Sequence, residues 1–257
     1  MADQTFQHIK LTMQGGRADI ELCRPGKRNA LLPSMLAEIS QAVDIASRRS
    51  EIKCLVISGR GDHFCAGMDV TARLEGKDTK ADWLSKRDSI AALNKLSDAP
   101  AVTICRLDGY VVGAGILIAA ACKLRYATPE TRFYVPELNM GIPFSLGAVA
   151  ALSRYLGITR VAEMVLTCNK IEAASEYMAG FVTRVIDRDH IDAHIGETAE
   201  SIASRPNVLL LSTLSTLREA ERALIPDAAS DLFTMLFANM ERESGAVRDN
   251  YGKRFGT

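Results

Sequence analysis

A chain of 257 residues with 47% hydrophobic side chains is long enough for one large α/β unit with a sizeable core. Lysine plus arginine (31) equal aspartate plus glutamate (31), so the charge balance supports neither a nucleic-acid nor a membrane-surface partner and leaves room for a local anionic ligand only. No apolar run reaches the roughly eighteen residues of a membrane span, and M-A-D-Q-T-F-Q lacks the basic and apolar regions of a secretory leader, so a cytoplasmic location is expected.

In chain order, residues 8–14 and 17–23 read as a hairpin about Gly15-Gly16, followed by a basic loop, R-P-G-K-R-N-A (24–30). Pro33 opens a helix to Ser47, with Met35, Leu36, Ile39, Val43 and Ala46 at helical spacing. The strand 53–58 ends in a glycine-bearing loop, G-R-G-D-H-F-C-A-G-M-D (59–69). A polar stretch, 70–98, holds a helix from Ala81 to Leu96 and a loop at Glu75–Lys80, the kind of insertion that shapes a ligand pocket. Strands are expected at the β-branched run of Val102 and Ile104, which breaks at Asp108-Gly109, and at 123–128, 131–134 and 182–186, with helices at 116–122, 145–156, 159–167 and 172–180. From His190 onward the spacing is helical, broken at Pro206 and Pro226.

Six cysteines (Cys23, Cys54, Cys65, Cys105, Cys122, Cys168) form no C-x-x-C pair and lie mostly in apolar runs, as reduced core thiols do. His190 and His194 share a helix face at metal-like spacing without a third ligand nearby, which reads as a surface pair. Ser145 in P-F-S-L-G resembles a nucleophile elbow only faintly and reads better as a helix cap. Gly113-x-Gly115 hints at a dinucleotide fingerprint, but Ile118 occupies the third glycine position.

Two glycine-rich turns after buried strands, at 59–69 and 113–115, carry the chemistry. Each can present backbone N–H groups, and two such donors around one point stabilise the oxyanion of a thioester or ester carbonyl. The second turn also opens an apolar helix, whose first turn has unpaired amides and the positive end of the dipole.

Five pieces in order, R-P-G-K-R-N-A-L (24–31), F-C-A-G-M-D (64–69), A-P-A-V…D-G-Y-V-V-G-A-G (99–115), F-Y-V-P-E-L-N-M-G-I-P (133–143) and A-E-M-V-L-T-C-N-K-I-E-A (162–173), resemble the enoyl-CoA hydratase/isomerase, or crotonase, family over nearly the whole chain. The resemblance implies an α/β spiral of ββα turns over 1–189, bearing the CoA and acyl site, and a helical C-terminal trimerisation region over 190–257. It implies a CoA-thioester substrate with no further cofactor and no metal, and assembly as a homotrimer or homohexamer. By the same resemblance the oxyanion hole falls on the Met68 and Ala114 amides, and the catalytic acid/base on Glu137. Arg24, Lys27, Arg28, Ala66, Asp69, Lys253 and Phe255 fall where the family binds CoA.

Family hydratases carry a second glutamate just after the glycines, where this chain has Leu117. A leucine can neither orient water nor move its protons, whereas one carboxylate suffices to carry a proton from C2 to C4 of a 3-enoyl-CoA. The pattern is therefore similar to the family's Δ3,Δ2-enoyl-CoA isomerases. A hydratase or dehydratase drawing a second polar group from 70–98, or a non-catalytic CoA-thioester-binding protein, are the alternatives. Apolar neighbours of Glu137 (Val135, Leu138, Ile142, Phe144) would raise its pKa toward neutrality.

Overall fold

The computed structural model of the chain describes residues 4–70, 79–144, 147–224 and Val247. Ser145, Pro226, Lys253, Phe255 and most of the loop expected at Glu75–Lys80 lie outside the described residues.

Alternating burial makes β2 (Ile9–Gln14) and β3 (Arg17–Leu22) one-face strands, and they pair antiparallel about Gly15 and Gly16, as the hairpin signal predicts. The strand β1 (Gln4–Thr5) extends this pair on one side. On the other, β3 begins a parallel run through β4 (Cys54–Gly59), β5 (Val102–Leu107), β7 (Leu124–Ala127) and β10 (Arg184–Val185). The first four residues of β4 are all buried, the pattern of a parallel strand covered on both faces.

One face of this sheet meets the large core, to which α1 (Pro33–Ser47), α3 (Ala114–Ala121) and α4 (Ala148–Leu156) contribute. Helix α2 (Thr79–Ser97) packs on α1, and α5 (Ile158–Thr167) on α4. The other face carries α6 (Arg188–Ala203), whose Ile191, Ile195 and Ala199 cover Cys54, Val56, Ile104 and Tyr126. His194 stands edge-on to Tyr126, so its ring has a packing partner. Helix α7 (Asn207–Leu224) follows Pro206.

A second, smaller sheet positions the site. Its strands are β6 (Tyr110–Val112), β8 (Arg132–Tyr134) and β9 (Ile171–Glu172), and Cys65 joins it through a bridge to Val111. Successive turns of the chain thus supply a long strand to the large sheet, a short extended piece to the small one, and a helix: β5, β6, α3 and then β7, β8, α4. This is the spiral of ββα turns that the resemblance implies.

One expected helix does not form. Residues 172–180 have helical apolar spacing, yet Ile171 pairs with Phe133 in β9, and only a 3-10 turn, Glu176–Met178, comes after it. Completing the small sheet against β8 and seating Met178, which is fully buried, override the local periodicity. Strand β6 is likewise absent from the sequence reading, because Gly109, at φ +53°, marks a break and the strand beyond it has three residues.

The cysteines are all free, and five of the six are buried. Burial pushes the Cys54 and Cys65 thiols up to about 12, so both stay protonated core side chains at neutral pH.

Candidate active site

The two glycine turns are stitched together by backbone hydrogen bonds. Phe64 N–H donates to Asp108 O (2.8 Å), Cys65 N–H to Tyr110 O (3.0 Å), and Val112 N–H to Cys65 O (2.9 Å). The second turn is tied in the same way to the end of β8, since Gly113 N–H donates to Tyr134 O (3.0 Å). Three segments far apart in sequence thereby arrive at one place.

The Met68 amide is oriented by a parallel bridge to Leu31. Leu31 N–H donates to Gly67 O (2.7 Å) and Asp69 N–H to Leu31 O (2.8 Å), a pattern that leaves the amide of the intervening residue facing the opposite side. Ala114 is the first residue of α3, where an amide has no acceptor within its own helix. Each donor follows a glycine held at positive φ, Gly67 at +88° and Gly113 at +49°. A Cβ on Gly67 would stand 3.0 Å from Val112 O and 3.8 Å from the Ala114 nitrogen, so the two turns are in contact. Gly115 has a separate reason: a Cβ there would meet Cys65 within 3.1 Å, and its absence lets α3 start against the first turn.

Glu137 opens a 3-10 turn, Glu137–Met140, directly after β8 and Pro136. Its side chain lies against Gly113, so closely that any Cβ at Gly113 would collide with Oε1. Oε2 is out of solvent and, among the described residues, without a hydrogen-bond partner. Burial disfavours the charged form and outweighs a bond from its own backbone N–H, raising the pKa to about 7. Both protonation states are therefore accessible near neutral pH, as a group that takes and returns a proton requires.

A cavity of about 390 Å³ joins these parts; Met68, Gly113, Ala114, Leu117 and Glu137 all line it. Leu117 and Phe144 are buried walls, while Arg28 and Lys170 are exposed at the rim. The cavity thus has an apolar interior and a basic mouth. Tyr110 is near both cations, with Arg28 5.6 Å and Lys170 5.5 Å from its ring centre, and Lys170 is also 5.7 Å from the Tyr134 ring.

Of the residues that the resemblance puts near CoA, Arg28, Ala66 and Asp69 line the cavity. Arg24 does not: its guanidinium turns inward, donating to Asp69 Oδ2 (2.9 Å) and to the Ala30 carbonyl. Lys27 is exposed in the 3-10 turn Pro25–Lys27 and is not part of the lining. No local sequence signal marks Lys170, Tyr110 and Tyr134 as site residues. Tyr134 ends β8 and Lys170 immediately precedes β9, so the pairing of those strands brings the two together, a register that nothing local to either segment reveals.

The enoyl-CoA hydratase/isomerase family model matches residues 12–249. A probable enoyl-CoA hydratase, echA6, of Mycobacterium leprae is 31% identical over 86% of this chain and 84% of its own. A 2,3-dehydroadipyl-CoA hydratase of Escherichia coli is 28% identical over 88% of this chain and 89% of its own. Among solved structures, an enoyl-CoA hydratase/isomerase from Xanthobacter autotrophicus superposes with a TM-score of 0.86 at 25% identity, covering 97% of this chain and 94% of the other. With the paired glycine turns, the half-buried glutamate and the ββα spiral already in place, the match settles the kinship: the chain belongs to the enoyl-CoA hydratase/isomerase family.

Proposed function

We propose that the cavity binds an enoyl-CoA thioester and that the protein isomerises a 3-enoyl-CoA to the 2-enoyl-CoA, with Glu137 as the sole proton carrier. The thioester oxygen sits between the Met68 and Ala114 amides. The Glu137 carboxylate takes a proton from C2, and the electron pair of that C–H bond moves into an enolate whose oxygen charge the two amides stabilise, one of them at a helix start. Glu137, now protonated, returns the proton at C4; the C3–C4 double bond is lost and a C2–C3 double bond forms. Proton transfer of this kind needs no redox or metal cofactor.

The observation that carries this reading is Leu117. It lies one helical turn after Ala114 and lines the cavity on the same side as the donor, where a second acid would have to stand to work on water. Asp69 is the other carboxylate of the lining, and it is engaged by Arg24. Glu137→Gln tests the assignment: turnover of 3-enoyl-CoA should fall about a thousandfold while butyryl-CoA binding stays within about threefold. Full activity in that variant would sink it.

A hydratase reading has support in the names of the relatives, both curated relatives described above being called hydratases. Water addition to crotonyl-CoA by the wild-type protein at a rate comparable to isomerisation would favour it. Acyl-CoA binding with no exchange of the C2 proton in heavy water would instead indicate a non-catalytic binding protein.

Arg28 and Lys170 at the mouth suit the phosphates of CoA, with Lys253 and Phe255 of a neighbouring subunit proposed for the adenine end. Self-association as a trimer or a hexamer, with 190–257 as the region that mediates it and 1–189 as the core, accords with the apolar side chains exposed on α7, namely Val208, Leu209, Leu217 and Leu224. We place the protein in the cytoplasm. No described helix is long and apolar enough to cross a membrane.

A further inference from the structure

We propose that the Arg24–Asp69 ion pair is a positioning and charge-compensating element of the oxyanion site. Arg24 fixes the Met68 amide through its neighbour Asp69, and it cancels a carboxylate that would otherwise oppose the enolate. The inference rests on the enolate chemistry proposed above, though not on which enoyl isomer is the substrate.

Arg24 and Asp69 are 45 residues apart, and their side chains are only 18% and 8% exposed. The guanidinium fork is used inward, one arm on Asp69 Oδ2 at 2.9 Å and the other on the Ala30 carbonyl, so one cation ties the basic loop to the first glycine turn. Asn29 fixes the loop itself. It is fully buried, accepts from Arg24 N–H (2.9 Å) and donates to the carbonyls of Arg60 (3.0 Å) and His63 (2.8 Å). Asp69 in turn holds Leu31 through its own amide, and that bond is half of the bridge that orients Met68. The chain Asn29, Arg24, Asp69, Leu31 thus ends on the donor.

Asp69 lines the cavity and is the next residue after Met68. A carboxylate there, shielded from water, repels negative charge developing on an oxygen bound by Met68 more strongly than it would in solvent. Its guanidinium partner removes that repulsion. Arg24 is therefore a positioning residue that distinguishes the enolate from the neutral thioester, whereas a phosphate-binding arginine would contribute equally to both.

Acetoacetyl-CoA provides a readout independent of turnover, because the fraction bound as enolate, read by absorbance, reports stabilisation of the oxyanion. In Arg24→Met the ratio of bound enolate to neutral form should fall about tenfold at fixed pH, with butyryl-CoA affinity within about threefold of wild type. Adding Asp69→Asn should restore the share of the enolate lost to repulsion, about threefold, since the repelling charge is gone, while the share lost with the anchor stays lost. A tenfold loss of butyryl-CoA affinity in Arg24→Met, with the bound enolate ratio unchanged, would overturn the inference in favour of phosphate binding. So would failure of Asp69→Asn to rescue. If Arg24→Met does not fold, Asp69→Asn alone decides: an enolate ratio equal to or above wild type supports the proposal, and a tenfold drop overturns it. Wild-type enolate formation without 3-enoyl-CoA turnover would remove the isomerase reading and leave this inference standing; no enolate at all in the wild type would remove both.

Discussion

The two amides that meet in the cavity are held by opposite strategies. Ala114 stands at the start of α3, so its orientation comes from the helix, and the helix is anchored at its other end by Arg125, a buried cation donating to the Ala119 and Cys122 carbonyls beneath the Tyr155 and Phe181 rings. Met68 lies in extended chain with no helix behind it, and its orientation comes from a two-bond bridge and a buried polar relay through Asn29, Arg24 and Asp69. A helix distributes the task of aiming a donor over many backbone bonds, while an extended segment concentrates it in a few side chains. Damage on the α3 side should therefore appear first in the chemistry of Glu137, and damage on the Met68 side first in stability and in the enolate.

The largest expected effect is on the α3 side. In Gly113→Ala the new methyl occupies the place of Glu137 Oε1, and a flexible carboxylate will move aside more readily than a backbone will. Turnover should fall about a thousandfold as the base leaves its position, with a stability loss of about 2–3 kcal/mol from a backbone conformation, φ +49° and ψ −117°, that suits glycine. Gly67→Ala carries a similar φ penalty but meets the Val112 carbonyl, which cannot swing away. Urea midpoints and steady-state rates on the two variants should rank them oppositely, Gly113→Ala worse in rate and Gly67→Ala worse in stability.

Glu137 also makes the α3 side sensitive to pH. The native state holds this proton up to about pH 7, whereas an unfolded glutamate releases it near 4.5, so the native state binds more protons through that window. Stability should then decline as pH rises from about 4.5 to 7 and level off above, by about 3 kcal/mol in all from this group. Chemical denaturation across pH should show that decline in the wild type and a flatter profile in Glu137→Gln. The isomerase rate should climb over the same range, because the ionised form starts the reaction.

On the Met68 side the corresponding test is Asn29→Ala. Asn29 is wholly buried at φ +55°, a conformation asparagine tolerates better than alanine, and its side chain closes three hydrogen bonds. About 2 kcal/mol should be lost, through carbonyls and an amide left without partners. Thermal melting measures it; a variant as stable as wild type would show that the relay does not anchor this turn.

The legible and illegible parts of the sequence divide along the same line. The hairpin, α1 and the start of α3 were readable because alternation and helical spacing are local signals, and α1 runs from Pro33 to Ser47 as its periodicity predicts. The Met68 relay was not. Arg24 sits in a basic loop, and nothing within that loop announces a carboxylate 45 residues away, so the loop reads as an anion site. Lys170 escaped for a related reason. Its place beside Tyr134 and Tyr110 depends on β9 pairing with β8, and β9 lies at the edge of a segment whose apolar spacing imitates a helix. Glu137 was visible through its motif, but its closeness to Gly113 is a tertiary fact.

The smallest expected effect concerns Leu117 and bears most directly on the α3 donor. If this residue is only an apolar wall, Leu117→Met, which keeps volume and hydrophobicity, should cost less than about 1 kcal/mol and leave isomerase turnover within about threefold. Leu117→Glu is the informative contrast. It adds a carboxylate on the helix face just past Ala114, in a cavity that already holds Glu137, and two neighbouring carboxyl groups cannot both ionise freely. One proton should be retained to higher pH, which shifts the rising limb of the isomerase profile upward. Water addition to crotonyl-CoA should become measurable, since the second acid can now orient a water opposite Glu137. Were Leu117→Met to abolish turnover instead, Leu117 would have to shape the acyl chain rather than merely bound it, and the α3 side would depend on individual side chains as the Met68 side does.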